Sequence, residues 1–271
     1  MNAPIDDTHA SPVTLNISDT GIASVILNRP EKHNAFDDHL ILGLQRIFRE
    51  LENNKTIRCM ILSGNGKSFS AGADINWMAS MATASENANY DDELTLANLF
   101  SELNQLPFPT IAKVRGAAFG GAIGLISCCD IAIAASDAAF SLPEVKIGLI
   151  PATISPYVIN AIGSRNARRY FLTAERFSAA VALHIGLLSE TTPANQLDER
   201  VDALARAMLC NAPQATARAK QLIAELAEQA MDDKLTEKTS RLIAGIRASA
   251  EGVEGLSAFL EKRPPNWMEG I

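Results

Sequence analysis

From Val13 the chain alternates between apolar and polar positions. Val13-Thr14-Leu15-Asn16-Ile17 has a period of two, Asp19-Thr20-Gly21 supplies a turn, and Ile22 to Asn28 is a second apolar strand. This pattern predicts a β-hairpin. Between Phe36 and Glu52 the period lengthens. Leu40, Leu44, Ile47, Phe48 and Leu51 fall on one helical face, and Asp37 and Asp38 sit in a first turn where the helix dipole favours negative charge. Cys59 to Leu62 reads as a short buried strand and Ser63-Gly64-Asn65-Gly66 as a loop. The polar run from Ser80 to Asp92 leads into a helix through Leu94, Leu99 and Leu103, which Pro107 and Pro109 stop. Thr110 to Val114 is a strand, Gly120-Gly121 opens an apolar helix, and Asp130 to Ala134 is another strand. The recurring strand–helix–strand order predicts an α/β core with buried parallel strands.

Beyond Gly163 the pattern becomes helical throughout. Ser164 and Ser178 are candidate caps, the second for a helix ending at Gly186. Leu197, Val201, Leu204, Ala205, Met208 and Leu209 keep helical spacing up to the break at Asn211-Ala212-Pro213. Further helices fit residues 214–229 and 235–250, and a last one runs to about Leu260. The expected organisation is a flexible tail over 1–12, an α/β core over 13–195 and a helical region over 196–271. No low-complexity segment or short repeat interrupts it.

Composition narrows the function classes. The 271 residues carry 47% hydrophobic and 20% charged side chains, ordinary for a globular protein with a sizeable core. Lys and Arg number 24 against 31 Asp and Glu, a net charge of −7 with no long basic run, which argues against a nucleic-acid partner. Cys59, Cys128, Cys129 and Cys210 show no disulfide spacing and no Cys-x-x-Cys pair, and the four histidines do not cluster. Neither a disulfide framework nor a structural zinc is expected. The most apolar stretch, Gly116 to Cys129, falls short of the ~18–20 residues of a membrane span, and Met1 to Pro12 has no signal-like apolar region. The reading is a cytoplasmic protein without a membrane partner.

Four segments carry candidate chemistry. Asn28-Arg29-Pro30-Glu31-Lys32-His33-Asn34-Ala35 is a turn and helix cap, or a site where Arg29 and Lys32 face phosphate. Ser68-Phe69-Ser70-Ala71-Gly72-Ala73-Asp74-Ile75 leaves backbone N–H groups sterically open beside a helix start, an anion site or simply tight packing. Val114 to Gly124 is a Gly/Ala-rich passage from strand to helix. Several helical glycines, each costing ~1 kcal/mol relative to alanine, point to something approaching the backbone closely, or to close helix–strand packing. The spacing is not a dinucleotide fingerprint, and a P-loop lysine is missing. Ser141-Leu142-Pro143-Glu144-Val145-Lys146 places one carboxylate among apolar residues, where burial raises its pKa and suits it to proton transfer.

Taken together and in this order, the four segments resemble the crotonase superfamily, the enoyl-CoA hydratases and isomerases. The resemblance runs from about Val13 to Trp267. It implies a spiral of strand–strand–helix units with a C-terminal all-helical region that builds homotrimers or homohexamers. It implies an acyl-CoA thioester as substrate, so that coenzyme A is part of the substrate and no separate cofactor or metal is called for. The N–H groups of Ala73 and Gly121 match the pair that holds the thioester oxygen, worth ~3–4 kcal/mol per donor as charge develops. A larger residue at Gly121 is expected to block the thioester. Glu144 matches the later of the family's two glutamates. Arg29, Lys32, His33 and Ala35 match the CoA-contacting turn, and Ala71, Asp74 and Ile75 the adenine and pantetheine contacts. Phe259 and Lys262, with Arg263, resemble the adenine-side residues of the C-terminal region.

One departure matters. The family's earlier glutamate would fall at Gly124, which is expected to leave room for a branched acyl group, a substrate carboxylate or a water held by Ser127. Trp77, Met78 and Tyr157 are candidates for the pocket wall. The stretches Gly120 to Asp130 and Pro151 to Val158 resemble a bacterial subgroup that includes methylglutaconyl-CoA hydratases of leucine breakdown and relatives in terpene degradation. The resemblance therefore implies hydration of 3-methylglutaconyl-CoA to 3-hydroxy-3-methylglutaryl-CoA. An isomerase working with Glu144 alone, and an acyl-CoA-binding protein without catalysis, are the rival readings.

Overall fold

The structure is a computed structural model. It describes residues 11–227 and 229–270, so most of the tail expected over 1–12 lies outside the described residues. Its strands are β1 (Val13–Ile17), β2 (Ile22–Leu27), β3 (Cys59–Gly64), β4 (Ser68–Ser70), β5 (Thr110–Val114), β6 (Ala117–Phe119), β7 (Ile131–Ala135), β8 (Ala139–Ser141), β9 (Phe177–Ser178) and β10 (Glu190–Thr192). Its helices are α1 (Asp38–Asn53), α2 (Ile75–Met81), α3 (Glu86–Gln105), α4 (Gly121–Cys128), α5 (Ser155–Thr173), α6 (Ala179–His184), α7 (Leu197–Leu209), α8 (Pro213–Leu226), α9 (Asp233–Ala248) and α10 (Ala250–Glu261). Among the described residues no helix is long and apolar enough to cross a membrane.

The strands form two sheets. The larger has the order β1-β2-β3-β5-β7-β10. The β1–β2 hairpin is antiparallel, as the alternation predicts, and every other pairing in this sheet is parallel. Side chains on a strand point alternately to opposite faces. Met60 and Leu62 of β3 accordingly enter the main core beneath α1, α3 and α4, while Cys59 and Ile61 face a second apolar cluster with Leu197, Val201 and Ala205 of α7. α7, the first helix of the helical region expected over 196–271, is therefore packed as a layer against the large sheet. The central strands β3, β5 and β7 are covered on both faces, which is why they are mostly apolar and do not alternate.

The smaller sheet, β4-β6-β8-β9, is built from strands of two or three residues. None of them is predicted from periodicity, because three residues are too few to show a period. β4, β6 and β8 run parallel to one another, and β9 is antiparallel at the edge.

Three boundaries differ from the sequence reading. α1 starts at Asp38 with Asp37 as its cap, because Phe36 is held in a β-bridge with Ala73. The polar run before Leu94 is helical from Glu86, with Ser85 capping the Ala88 N–H. α5 begins at Ser155, well before the expected Ser164, and bends at Gly163, whose φ of 73° departs from helical geometry. A proline in the first turn of α5 suits a helix start, which the sequence reading missed.

Candidate active site

The small sheet delivers the site. Its three parallel strands lie side by side, and each ends just before one candidate residue. Ser70 of β4 precedes Ala73 by three positions, Phe119 of β6 precedes Gly121 by two, and Ser141 of β8 precedes Glu144 by three. Adjacent parallel strands with their carboxyl ends at one edge thus bring together three residues separated by up to about seventy positions in the chain.

Backbone geometry frees two N–H groups at that edge. Phe36 N–H donates to Gly72 O and Asp74 N–H to Phe36 O, both at 2.8 Å. In this parallel bridge the pairing is made by the neighbours of Ala73, and the Ala73 N–H is turned away from Phe36. Gly121 is the first residue of α4, so its N–H has no acceptor within the helix and adds to the positive end of the helix dipole. Gly120, just before it, has φ 54° and ψ −122°, a conformation that only glycine adopts without strain.

Glu144 sits against this turn. A Cβ placed on Gly120 would stand 3.1 Å from Glu144 Oε1 and 4.0 Å from the Gly72 Cα, so all three strand ends meet there. Oε2 of Glu144 is buried and has no hydrogen-bond partner. Burial pushes the Glu144 carboxyl above its ordinary value, a backbone hydrogen bond opposes that push, and among the described residues no cation is paired with it. A buried carboxyl with a free oxygen, beside an N–H that lacks an acceptor, is suited to moving a proton while charge develops on a neighbouring oxygen.

Two expectations are corrected. A Cβ on Gly121 would meet Phe36 Cζ at 3.6 Å and Phe100 Cζ at 3.9 Å, so it points into the core at ordinary contact distance and not toward a ligand. Gly120, which the sequence reading did not single out, is the position that requires glycine. The room expected at Gly124 is not there either. A Cβ on Gly124 would stand 2.4 Å from Ile154 Cγ2 and 2.8 Å from Phe100 Cε1. Ile154, 3% exposed, and the fully buried Phe100 close that side of α4. Ser127 Oγ is buried without a partner, but the face it shares with Gly124 is apolar and filled.

The remaining candidates divide. Lys32 and His33 are exposed on the turn before α1, Ala71 and Ile75 are exposed beyond β4, and Ala35 is buried. His33 and Asn34 both have positive φ, 52° and 54°. The Asn34 amide holds that turn, accepting from Arg29 N–H and donating to the Asn65, Ser68 and Phe69 carbonyls. Arg29 does not face outward for phosphate. Its guanidinium pairs with Asp37 and Asp74 and donates to Ala35 O. The Asp74 side chain caps α2 through Asn76 N–H. Although burial works against it, that hydrogen bond and the Arg29 and Lys32 charges hold the Asp74 carboxyl below its ordinary value.

Phe259 and Lys262 lie at the end of α10, which packs on α9 and α8. Phe259 is 80% exposed, so packing within one chain does not join it to Glu144. Arg263 is taken up by Glu254 and Glu261. Of the candidate pocket wall, Trp77 Nε1 donates to Asp38, and Tyr157 lies with its ring centroid 6.2 Å from that of Phe100.

Comparison with known proteins agrees with this arrangement. An enoyl-CoA hydratase of Shewanella pealeana has a solved structure that is 46% identical and superposes with a TM-score of 0.91 over 94% of this chain and 96% of its own. AtuE of Pseudomonas aeruginosa is 34% identical, with a TM-score of 0.89 over 94% of this chain and 99% of its own. The 2,3-dehydroadipyl-CoA hydratase of Escherichia coli is 32% identical across 89% of this chain and 92% of that protein. Residues 18–270 match the family described as enoyl-CoA hydratase/isomerase. With the spiral fold, the strand-end site and these relatives in agreement, the chain belongs to the enoyl-CoA hydratase/isomerase family, the crotonase superfamily.

Proposed function

We propose that this protein is a hydro-lyase that adds water across the 2,3 double bond of an enoyl-CoA, with 3-methylglutaconyl-CoA as the substrate and 3-hydroxy-3-methylglutaryl-CoA as the product. The thioester oxygen lies between the N–H groups of Ala73 and Gly121, which stabilise it as it gains enolate charge. Glu144 takes a proton from a water whose oxygen bonds to C3. It then returns a proton to C2 as the enolate collapses, so one carboxylate serves both ends of a same-face addition. Oxygen and both hydrogens of the water end on the product. An enolate held by two N–H groups needs neither a metal nor a redox cofactor.

The observation that carries this reading is the Glu144 carboxyl, buried with Oε2 unpartnered and Oε1 against Gly120. Support for the branched, acidic acyl group comes from the resemblance of the 120–130 and 151–158 segments. The filled space at Gly124 contributes nothing to it. A second reading, isomerisation, is favoured by one specific feature. Ile154 and Phe100 occupy the side of α4 where another acid would enter, and shifting a double bond needs a single carboxylate to move a single proton.

The test is a panel of acyl-CoA substrates with mass detection of the products. A gain of one water on methylglutaconyl-CoA supports hydration. A product of unchanged mass with a moved double bond replaces it by isomerisation. Glu144→Gln is expected to remove most turnover while CoA still binds. Retention of more than about a tenth of the rate, a loss under ~1.4 kcal/mol, would sink the assignment.

Assembly into trimers or hexamers is part of the proposal. Val253, Leu256, Phe259 and Leu260 of α10 are exposed apolar residues, as are Ile147, Leu149 and Ile150 just after Glu144. Exposed apolar side chains grouped in this way suit burial against another copy of the chain. Light scattering showing a monomer at micromolar concentration would count against it. Four unpaired cysteines support a reducing, cytoplasmic setting.

A further inference from the structure

Arg29 is unusual among the charged residues near the site. It stands just before the short 3-10 turn Pro30–Lys32, and its side chain is only 16% exposed. Its guanidinium makes three contacts. Nη1 donates to Ala35 O at 2.7 Å and lies 2.8 Å from Asp37 Oδ2, and Nη2 lies 3.3 Å from Asp74 Oδ2. These partners flank the β-bridge between Phe36 and Ala73. Ala35 and Asp37 stand on either side of Phe36, and Asp74 follows Ala73. The same two aspartates cap α1 and α2 with their other oxygens, through Leu40 N–H and Asn76 N–H.

We propose that Arg29 is a positioning residue for the reaction, its planar fork locking the two sides of the Phe36–Ala73 bridge and thereby aiming the Ala73 N–H. The proposal rests on the reading that this N–H receives the thioester oxygen. Only two backbone hydrogen bonds define the bridge itself, Phe36 N–H to Gly72 O and Asp74 N–H to Phe36 O. The next backbone tie between the two segments is Ala71 N–H to His33 O at 2.9 Å, and the direction of the Ala73 N–H turns with any twist left in the bridge. A guanidinium joining a carbonyl on one side to carboxylates on both sides removes that freedom. Lysine cannot do the same, since a single ammonium has no fixed fork to span the three partners. With its charge spent on two aspartates, Arg29 leaves contact with the CoA phosphates to the exposed Lys32 and His33.

The test compares wild type, Arg29→Met and Arg29→Lys. The readouts are steady-state kinetics and the infrared carbonyl stretch of bound butyryl-CoA, a saturated thioester that cannot react. In wild type the stretch is expected to fall on binding, because two N–H donors polarise the carbonyl. Arg29→Met is expected to lose at least half of that fall and about 10- to 100-fold in kcat, with KM within about threefold. Arg29→Lys keeps a cation between the aspartates, so it folds even where the methionine variant does not, and it is expected to show an intermediate loss in both readouts. A KM increase at unchanged kcat and unchanged stretch, in either variant, overturns the proposal and makes Arg29 a CoA contact. Wild-type values of kcat and stretch in Arg29→Lys overturn it as well. If wild type itself shows no fall on binding, it is the oxyanion reading of Ala73 that fails, whatever the variants do.

Discussion

The two sheets of this protein divide its labour. The six-stranded sheet has strands of three to six residues, the central three buried on both faces, and its side chains help build the two apolar clusters. The four-stranded sheet has strands of two or three residues and contributes few large core side chains, Phe69, Phe140 and Phe177 among them. Yet Ala73, Gly121 and Glu144 all follow strands of the smaller sheet. The larger sheet holds the molecule together by burying area, and its residues are interchangeable within limits of volume. On the proposed mechanism the smaller sheet acts through where its chain ends point, so single atoms matter there.

Substitutions can break this contrast in a graded order. The largest effect is expected for Glu144→Gln, a loss of about 10²- to 10⁴-fold in turnover with the fold intact, measured by kcat on the preferred enoyl-CoA beside a circular dichroism melt. Leu62→Ala, in the centre of the large sheet, is expected to do the reverse. It costs about 2–5 kcal/mol of stability, read in denaturant unfolding, while kcat per folded molecule stays near wild type. Leu62 is fully buried, and its loss leaves a cavity in the main apolar core. If Leu62→Ala cut kcat as deeply as Glu144→Gln, the division between the sheets would be wrong.

Smaller effects sharpen the same contrast. At Gly120 an alanine must adopt φ 54° and ψ −122° and press on Glu144 Oε1, so about 1–3 kcal/mol of strain is expected together with a clear fall in kcat. At Gly121 the added methyl meets Phe36 and Phe100 at ordinary contact distance, and Gly121→Ala is expected to stay within a few-fold of wild type in both stability and turnover. Comparable losses at 120 and 121 would refute the assignment of the glycine requirement to one of them.

The smallest effect concerns pH. Burial raises the Glu144 pKa above its ordinary 4.5 in the folded state, so the folded form holds this proton longer than the unfolded chain does. The stability linked to this group is full below about 4.5 and is lost as pH rises through the raised value. Glu144→Gln removes that loss. The variant is expected to melt slightly above wild type at pH 7, by about 1–3 °C, with the difference shrinking as pH is lowered toward 4. The acid limb of kcat/KM in wild type is expected above the ordinary glutamate value for the same reason. A wild-type melt at or above that of the variant at pH 7 would show that Glu144 is not held in an apolar setting.

Legibility followed the same division. The β1–β2 hairpin, β3, β5, β7 and the helix α7 could be read because burial on a regular element leaves a period in the sequence. Ala73 and Gly121 were reached by resemblance, since no period marks an N–H group. Glu144 showed as a carboxylate among apolar residues, but its neighbours in space did not show at all. The first half of α5 was missed because Ile154-Ser155-Pro156 reads as loop chemistry, although a proline is welcome in the first turn of a helix. That omission hid the residue that fills the space beside Gly124.

By itself the sequence determined the alternation that buries the large sheet, the helical stripes, the chain breaks at glycine and proline, and a single carboxylate in an apolar segment. These are local properties, set by each residue's polarity and allowed backbone angles. Only the tertiary structure decided that three short strand ends converge, that Gly120 and not Gly121 must be glycine, that Ile154 and Phe100 close the space at Gly124, and that the Arg29 charge is spent on Asp37 and Asp74. Each of these depends on which atoms meet across tens of residues of chain, and packing distances of a few ångströms leave no trace in the order of residue types.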